Sequence, residues 1–215
     1  VQRHETHRAL AVESHAPTVR WVRRRTQALL GPRAGDLIIL QADVLEVDQP
    51  KVDLVAALNF SVLVYHTRAA LTRYFRHARR SLRPGGLLVL DIFGGPGAMR
   101  PGIQRRTVTP LDADEPIPPF TYEWEQRSFD ALTGRVDCRI HFDLPGRRLN
   151  NAFRYDWRLW TLPELLECLE EAGFSRTEVW CDRYDPRQGH SDGIYRPIKS
   201  LPAREDWVAY VVGCR

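Results

Sequence analysis

The sequence contains little cysteine and no hydrophobic run long enough to cross a membrane. Four of its 215 residues are cysteines, Cys138, Cys168, Cys181 and Cys214, and they lie far apart, without the closely paired spacing of a zinc site. A reducing compartment would keep them as free thiols. No apolar stretch approaches the roughly 20 residues that span a bilayer, and the first residues are polar and charged. We therefore predict a cytoplasmic protein with no metal and no membrane partner.

The excess of positive charge is small. The net charge is +4 and the pI is about 9.0, and aspartate and glutamate are interleaved with arginine along most segments. The densest basic cluster, Arg20 with Arg23-Arg24-Arg25, falls on a predicted helix on which most of these side chains face solvent. A solvated surface explains this pattern as well as a stripe that follows phosphates. We expect no nucleic-acid partner.

One segment in the first half of the chain predicts a strand, a helix and a second strand. Val52 to Leu58 is almost continuously apolar and predicts a buried strand. Thr67 to Leu82 has apolar residues at helical spacing on one face and arginines on the other, with Thr67 as the N-cap. Pro84-Gly85-Gly86 ends the helix, and Leu87 to Phe93 predicts the second strand. This is a βαβ unit with parallel strands.

Details of this unit resemble the class I S-adenosylmethionine-dependent methyltransferases. They are Asn59-Phe60-Ser61 at the end of the first strand, Leu82 to Gly86, which matches an L-x-P-G-G turn, and the strand from Leu87 to Asp91. Trp157 to Phe174, with its capping box and its E-A-G-F sequence, also resembles small-molecule methyltransferases. The resemblance implies an α/β fold with a Rossmann-like, mostly parallel sheet whose last strand is antiparallel.

The resemblance also implies S-adenosylmethionine as the cofactor and indicates which residues bind it. Glu13, at the tip of a strand, stands where an acidic side chain accepts hydrogen bonds from ribose hydroxyls. Asp43 stands where the family recognises the adenine amino group, and the backbone N–H of Val44 would meet a ring nitrogen. Asn59 and Phe60 would lie next to the reactive methyl group. A surface glutamate, and an aspartate that favours a turn, are the ordinary alternatives for Glu13 and Asp43.

The chemistry implied is an in-line displacement at the sulfonium methyl group, for which the protein aligns the reactants and excludes water. Tyr65 and His66 are the nearest candidates for a general base, and a solvent-exposed residue at a helix N-terminus is the alternative for His66. Phe60 or Tyr65 would face the positive sulfur. The candidate substrate contacts, for which core packing is the alternative, are Ser61, Tyr155, Trp157 and Trp160.

After Asp91 the pattern changes to period two, which is typical of antiparallel strands. A flexible connection from Phe93 to Gly97 and a proline-rich loop through Pro119 come first. Three alternating segments then predict a three-stranded antiparallel sheet inserted after the βαβ unit. A segment from Asp182 to Arg204, rich in Gly, Pro, Asp and Arg, predicts a loop.

We predict one domain, because the chain is too short for two of ordinary size. Residues 1–95 and 160–215 would form the Rossmann-like S-adenosylmethionine-binding part, and residues 96–159 would form the inserted region that covers the substrate. A homodimer remains open.

No glycine-rich turn of the family precedes the strand that begins at Ala9. That turn lets the backbone approach the methionine end of the cofactor, and its strand lies in the middle of the sheet. We expect an N-terminal segment to be missing from this sequence, since the strands on either side would otherwise lack a partner. The competing hypothesis is a short protein that takes the strand from another chain.

Two functions from different classes remain. The first is a methyltransferase that acts on a small molecule at nitrogen, oxygen or a carboxylate; Asn59 to Val62 lacks the Pro-Pro-aromatic pattern of adenine N-methyltransferases. The second is a non-catalytic binding or partner subunit with the same fold. An NAD-dependent oxidoreductase is a weaker third, since the sequence has no G-x-G-x-x-G. His190-Ser191-Asp192 does not indicate a hydrolase, because a triad is spatial and no G-x-S-x-G is present.

Overall fold

The structure, a computed structural model, describes residues 6–110, 117–185, 190–201 and 203–215. In these ranges the chain is an α/β protein with three α-helices, thirteen strands and several 3-10 turns. The strands form both parallel and antiparallel pairs. The chain divides into two units, Val1–Val52 and Asp53–Arg215.

The first unit is a strand, a helix and a second strand. β1 (Ala9–Glu13) and β2 (Leu37–Gln41) pair in parallel, and α1 (Ala16–Leu30) connects them. Pro17 occupies the first turn of α1, where a missing N–H is not needed. The helix ends at Gly31, whose φ of 51° is easily adopted only by glycine. The sequence predicts these elements at Ala9 to Val12, about Pro17 to Leu30, and Leu37 to Leu40, within one residue at each end.

The second unit begins with the predicted βαβ segment. β3 (Val52–Ala57) is followed by α2 (Arg68–Ser81) and β4 (Leu82–Gly94). Thr67 is the N-cap of α2, and its hydroxyl accepts a hydrogen bond from the N–H of Ala70. These predictions are confirmed. The prediction that β3 is covered on both faces is wrong, because β3 is the last strand of its sheet and three of its six residues, Asp53, Leu54 and Ala56, are exposed.

β4 starts five residues earlier than the sequence predicts. Gly85 has a φ of 76°, as expected for a glycine in a turn, but the helix itself ends at Leu82 in extended backbone. The backbone here pairs with the C-terminus: Gly85 N–H donates to the carbonyl of Arg215, and Arg215 N–H donates to the carbonyl of Gly86. The prediction that Pro84-Gly85-Gly86 caps the helix is therefore wrong, because α2 ends before these residues and they lie within β4.

A four-stranded antiparallel sheet follows β4 in the chain. Its strands are β5 (Gly102–Val108), β6 (Phe120–Asp130), β7 (Arg135–Leu144) and β8 (Arg147–Arg158), and they lie in that order. The prediction of three strands is wrong, and so is that of a loop at residues 102–108. β5 escaped detection because it is an edge strand with six of its seven residues exposed, so its sequence has no apolar alternation. Residues 111–116 of the predicted loop lie outside the described residues.

The chain then returns to the five-stranded sheet through α3 (Leu162–Glu171) and β9 (Arg176–Cys181). α3 begins with the predicted capping box between Thr161 and Glu164. Next come two short strands that pair with each other, β10 (Tyr184–Asp185) and β11 (His190–Ser191).

The last two strands complete that sheet. β12 (Arg196–Ile198) pairs with β9, so the prediction of a loop from Asp182 to Arg204 is wrong for the parts that form β10, β11 and β12. β13 (Trp207–Cys214) is antiparallel to both β4 and β9, as predicted for the last strand. The sheet order is β12-β9-β13-β4-β3.

The core of the second unit lies between this sheet and the helices α2 and α3. Its fully buried side chains come from both helices and from alternate positions of β4, and they include Leu71, Phe75, Leu88, Leu90, Ile92, Leu165 and Leu169. Burial of these apolar surfaces stabilises the unit. None of the helices in the described part of the chain is long and apolar enough to cross a membrane.

Candidate active site

Two carboxylates lie at the ends of neighbouring parallel strands in the first unit. Glu13 is the last residue of β1, and one of its oxygens accepts a hydrogen bond from the N–H of His15 at 2.7 Å. Asp43 follows β2 as the N-cap of a 3-10 turn that begins at Val44, and its Oδ1 accepts from the N–H of Leu45 at 2.8 Å. Within the described residues, the second oxygen of each carboxylate has no hydrogen bond. Both side chains therefore keep an acceptor for a ligand.

A left-handed turn follows β3 in the second unit. Asn59 has a φ of 63° and Phe60 a φ of 59°, a region that non-glycine residues adopt only at a cost of about 1–3 kcal/mol. The N–H of Phe60 donates a hydrogen bond to Oδ1 of Asp91 at 2.8 Å. Asp91 lies in β4 and is only 9% exposed. A buried carboxylate on the neighbouring strand therefore holds this turn in place, while the next residue, Ser61, is exposed.

Three aromatic rings meet beside this turn. The ring of Phe60 lies 5.0 Å from that of Phe93 at the end of β4, and 6.2 Å from the indole of Trp157 on β8. Phe93 and Trp157 also contact each other, at 6.2 Å. The edge-to-face and tilted arrangements are those that aromatic pairs prefer. The turn after β3 is thus in contact with one end of the antiparallel sheet.

An aromatic face extends from Trp157 across the antiparallel sheet. Tyr155 stacks on Trp157 with 4.3 Å between the ring centres, and Trp124 lies about equally close to both rings. Burial raises the pKa of the Tyr155 phenol, so this group stays protonated. The face becomes more exposed along the strand, from Trp157 at 5% to Phe153 at 51%. Its members, all on one side of the sheet, are Phe120, Tyr122, Trp124, Phe142, Phe153, Tyr155 and Trp157.

His66 is half-buried, and the antiparallel sheet fixes its tautomer. Its Nε2 lies 2.8 Å from the backbone carbonyl of Asp156 on β8. Because a carbonyl only accepts hydrogen bonds, Nε2 carries the proton. In the neutral ring, Nδ1 is then an acceptor, and the described residues give it no hydrogen bond. His66 can therefore take up a proton at Nδ1.

Tyr65, the other candidate base, lies against a helix. Its ring stacks on Tyr74 of α2 with 5.0 Å between the centres, and its backbone carbonyl accepts a hydrogen bond from Nε1 of Trp160 at 3.0 Å. Trp160 is 3% exposed. Tyr65 and Trp160 thus connect α2 to the segment that leads into α3.

Arg158 contacts both the backbone at His66 and the first turn of α3. Its guanidinium donates to the backbone carbonyl of His66 at 3.2 Å and to Glu164 at 3.0 Å, and it lies 3.7 Å from the ring centre of Trp160. Burial alone would raise the pKa of Glu164. Hydrogen bonds from Thr161 and the nearby Arg158 charge outweigh burial and lower it. Glu164 is therefore ionised at neutral pH.

A cavity of about 760 Å³ opens beside these residues in the second unit. Its lining residues come from the end of β4, the 3-10 turn Pro96–Met99, the β6–β7 turn around Leu132 and the first turn of α3. His66, Arg158 and Trp207 also line it.

The segment from Phe93 to Gly97, expected to be a flexible connection, is closely packed along this cavity. Gly97 N–H donates to the carbonyl of Glu205 at 2.9 Å, and a Cβ at Gly94 would overlap the indole of Trp207. The glycines are needed here for close approach of the chain rather than for mobility.

The structure brings some of the sequence-predicted site residues together. In the second unit Phe60, Trp157 and Tyr155 form one continuous cluster of rings, whereas Ser61 points to solvent and Trp160 lies beside Tyr65. In the first unit Glu13 and Asp43 share one end of the β1–β2 pair, and Val44 is 37% exposed in the turn that follows.

Sequence reasoning missed Asp91, Phe93 and Arg158. Asp91 is a charged residue inside an apolar strand, and that is a usable signal, because such residues are seldom buried without a partner. The contacts of Phe93 and Arg158 join distant parts of the chain, and no local pattern encodes them.

The four cysteines are free thiols, and three of them are buried. In the described part of the chain, no group of three or more His, Cys, Asp or Glu side chains is arranged to hold a metal ion. Of the side chains at positions 190–192 that the structure describes, Ser191 donates to Asp182 and Asp192 pairs with Arg196. The side chain of His190 lies outside the described part.

The sequence alone matches no protein-family model and no curated protein. The structure, in contrast, has the fold of S-adenosylmethionine-dependent methyltransferases, as the sequence resemblance predicts. It is similar to the CcbJ methyltransferase from Streptomyces caelestis, with a TM-score of 0.65 and 18% identity, over 95% of this chain and 78% of that one.

Two further solved structures show the same likeness. The sugar N-methyltransferase KedS8 from Streptoalloteichus sp. ATCC 53650 matches with a TM-score of 0.55 and 23% identity, over 100% of this chain and 82% of its own. The SAM-bound structure of CalS10, an amino pentose methyltransferase from Micromonospora echinaspora, matches with a TM-score of 0.53 and 18% identity, over 97% and 84%.

Proposed function

We propose that the chain is an S-adenosylmethionine-dependent methyltransferase that acts on a small molecule. The observation that carries the proposal is the likeness of fold to methyltransferases over almost the whole chain. A small acceptor is supported by the sugar and amino pentose methyltransferases among the similar structures and by the aromatic face on the antiparallel sheet. The acceptor atom is nitrogen, oxygen or a carboxylate oxygen.

The residues of the first unit fit the polar groups of the cofactor. Glu13 and Asp43 each keep one carboxylate oxygen free of hydrogen bonds within the described residues, which suits ribose hydroxyls and the adenine amino group respectively. We assign Val44 to adenine through its backbone N–H. In the second unit, Asn59 and Phe60 are proposed cofactor contacts, because the left-handed turn is the kind of strained backbone that collects at functional sites.

When bound, S-adenosylmethionine supplies a methyl group on a positively charged sulfur. The chain's own residues then have to orient the acceptor, exclude water and take up a proton. Phe60 offers an aromatic ring for a cation. His66 rather than Tyr65 is the proposed general base, because its Nδ1 is an acceptor beside the cavity while the ring of Tyr65 packs on Tyr74.

We propose that different segments of the chain bind the cofactor and cover the acceptor. Residues 1–95 and 160–215 form the Rossmann-like cofactor-binding part, and residues 96–159 cover the acceptor. The position of all four strands of the antiparallel sheet within residues 102–158 supports this division. Among the substrate contacts, Trp157 and Tyr155 are supported by their place in the ring cluster beside Phe60, while Ser61 and Trp160 stay proposals from the sequence.

Calorimetric titration of the intact gene product with S-adenosylhomocysteine tests the proposal. We expect one binding site per chain, with an affinity that falls about tenfold in Asp43→Asn and in Glu13→Gln, since each change removes one charged hydrogen-bond acceptor. Asn still caps the turn after β2, so the fold is kept. Glu46→Gln is the matched control, because Glu46 is an exposed carboxylate in the same turn.

Absence of any binding heat would overturn the enzyme proposal and favour the non-catalytic subunit. Binding that Asp43→Asn and Glu46→Gln weaken equally would overturn the assignment of Asp43 alone.

A further inference from the structure

The 760 Å³ cavity is lined mainly by apolar side chains. Its volume lies within the range of about 300–1,000 Å³ that is usual for small-molecule sites. Of the charged residues that line it, Arg158 and Glu164 pair with each other, and Arg204 pairs with Asp182 outside it. The apolar lining includes Phe93, Phe129, Leu132, Trp160, Leu201 and Trp207. Such a lining suits a ligand with an apolar body better than a free sugar or a highly charged metabolite.

Leu132 lines this cavity and is 93% exposed. Its turn is well defined: the N–H of Leu132 and the hydroxyl of Thr133 both donate to the carboxylate of Asp130, and the N–H of Gly134 donates to the Asp130 carbonyl. A tight polar turn thus presents a large apolar side chain to water. Exposed apolar surface that continues into a cavity is typical of ligand-binding grooves, whereas a single exposed apolar side chain elsewhere on the surface is ordinary.

Met99 presents a second apolar side chain beside the same cavity, from the 3-10 turn that follows β4. It is 48% exposed. Met is a flexible side chain that adapts to ligands of varied shape. Leu132 and Met99 therefore both offer apolar surface that a ligand in the cavity would cover.

The polar side of the cavity lies next to the proposed chemistry. His66, with Nδ1 as an acceptor, lines it, and Phe93 both lines it and contacts Phe60. A ligand that fills the cavity therefore brings one end close to His66 while its remaining surface lies against apolar side chains.

The geometry points to an amphiphilic methyl acceptor whose apolar, ring-sized body occupies this cavity, with Leu132 and Met99 as specificity-determining residues. The inference deepens the proposed function and rests on it for the identity of the ligand as an acceptor. A nucleophilic amine or hydroxyl lies at the His66 end, and the apolar body is covered by Leu132 and Met99.

Binding of N-phenyl-1-naphthylamine, an uncharged apolar probe whose fluorescence rises in apolar sites, tests the inference without any cofactor. We expect saturable binding at one site, with energy transfer from Trp160 and Trp207. Leu132→Ser is expected to weaken binding about tenfold, because the burial of a leucine side chain is lost. Met99→Ser should weaken it about threefold, and the double variant more than either.

Ile194→Ser is the matched control. Ile194 is 57% exposed and lies in a similar turn, in which its N–H donates to the carboxylate of Asp192 two residues earlier, but it does not line the cavity. Phe153→Ser is the second control, at the exposed end of the aromatic face. Thermal melting of each variant confirms that it is folded.

The inference is overturned if the probe shows no saturable binding, or if Leu132→Ser and Ile194→Ser behave alike. It is also overturned if Phe153→Ser abolishes binding while Leu132→Ser does not, since the aromatic face would then be the apolar site. Titration of the same variants with S-adenosylhomocysteine separates the two proposals. If the unmodified chain does not bind S-adenosylhomocysteine, the proposed function is contradicted. If it binds S-adenosylhomocysteine but not the probe, only the cavity assignment is contradicted.

Discussion

The carboxylate of Asp91 accepts a hydrogen bond from the backbone N–H of Phe60 across 31 residues of sequence. Asp91 is buried within β4, and Phe60 is the second of two consecutive left-handed residues after β3. The strand next to the turn thus supplies the acceptor that the turn itself lacks. This contact fixes the direction in which the Phe60 ring enters the aromatic cluster.

Replacement of Asp91 tests how much the turn depends on this contact. Asp91→Ala leaves the N–H of Phe60 without its acceptor, and we expect the free energy of unfolding to fall by about 1–3 kcal/mol. Asp91→Asn keeps an oxygen in the same place and should recover most of the loss. Urea denaturation measures both. Equal stability of Asp91→Ala and the unmodified chain would contradict a supporting role for Asp91.

Replacement of Asn59 separates its backbone role from its side chain. Asn59→Gly should leave stability within about 1 kcal/mol, because glycine readily adopts the φ of 63°. Asn59→Val should cost about 1–2 kcal/mol, because a β-branched residue is strained there. If the side chain contacts the cofactor, Asn59→Gly also weakens S-adenosylhomocysteine binding in calorimetry.

Asn151→Gly is the control for this experiment. Asn151 on β8 is also left-handed, with a φ of 50°, but is not a proposed site residue. It should tolerate glycine without any change in cofactor affinity. A loss of affinity in both variants, or in neither, would count against Asn59 as a cofactor contact.

The sequence predicts the elements whose burial repeats with a clear period. The helix α2 and the strands β6, β7 and β8 are examples, because one face of each packs on other elements and its apolar residues recur regularly. β5 has almost no buried residue and is held by hydrogen bonds to β6, so backbone pairing rather than side-chain pattern defines it.

The candidate site is less predictable than the fold. Residues at strand ends follow from topology, so Glu13, Asp43 and Asn59 can be picked out from the order of the predicted strands. The tautomer of His66 depends on a carbonyl 90 residues away. The sequence predicts the turn from Asp130 to Gly134, but not that this turn lines a cavity together with the end of β4. Contacts between residues so far apart in the sequence arise from packing, and no local sequence pattern predicts them.

Acid should weaken the start of α3 through Glu164. The pKa of this carboxyl is lowered in the folded protein, so its contribution to stability is fully present above its unfolded pKa of about 4.3 and is lost as the pH falls through the lower, folded pKa. Glu164→Gln keeps the capping hydrogen bonds but not the charge. The melting temperature of Glu164→Gln should therefore lie below that of the unmodified chain at pH 6, and the gap should close toward pH 3.

Glu170→Gln is the control for this pH series. Glu170 is exposed near the end of the same helix and has no ion pair among the described residues. A gap for Glu164→Gln that stays constant from pH 6 to pH 3 would show that the charge of Glu164 does not stabilise the fold.

One of the four thiols should react much faster than the others. Burial raises the pKa of Cys138 to about 12, and it also raises the pKa of Cys168 and Cys181. Cys214 is half-exposed. At pH 8 we expect one thiol per folded chain to react rapidly with Ellman's reagent and four to react in guanidinium chloride, because the thiolate is the reactive form.

Cys214→Ser should abolish the rapid phase of this reaction. A rapid phase that survives in Cys214→Ser would place an accessible thiol in the part that the structure shows as buried.

The position of β4 between β3 and β13 has a consequence for deuterium exchange. Its central residues, from Leu88 to Ile92, lie on a strand with a neighbour on each side, and Leu88, Leu90 and Ile92 have no exposed surface. Amides in such a position exchange only when the whole unit opens. Asp91, which accepts the hydrogen bond from the Phe60 N–H, therefore lies on the slowest-exchanging segment. A ligand that orders the turn after β3 will slow deuterium exchange in the peptide around Asn59, as measured by mass spectrometry. Exchange in β4 will stay unchanged.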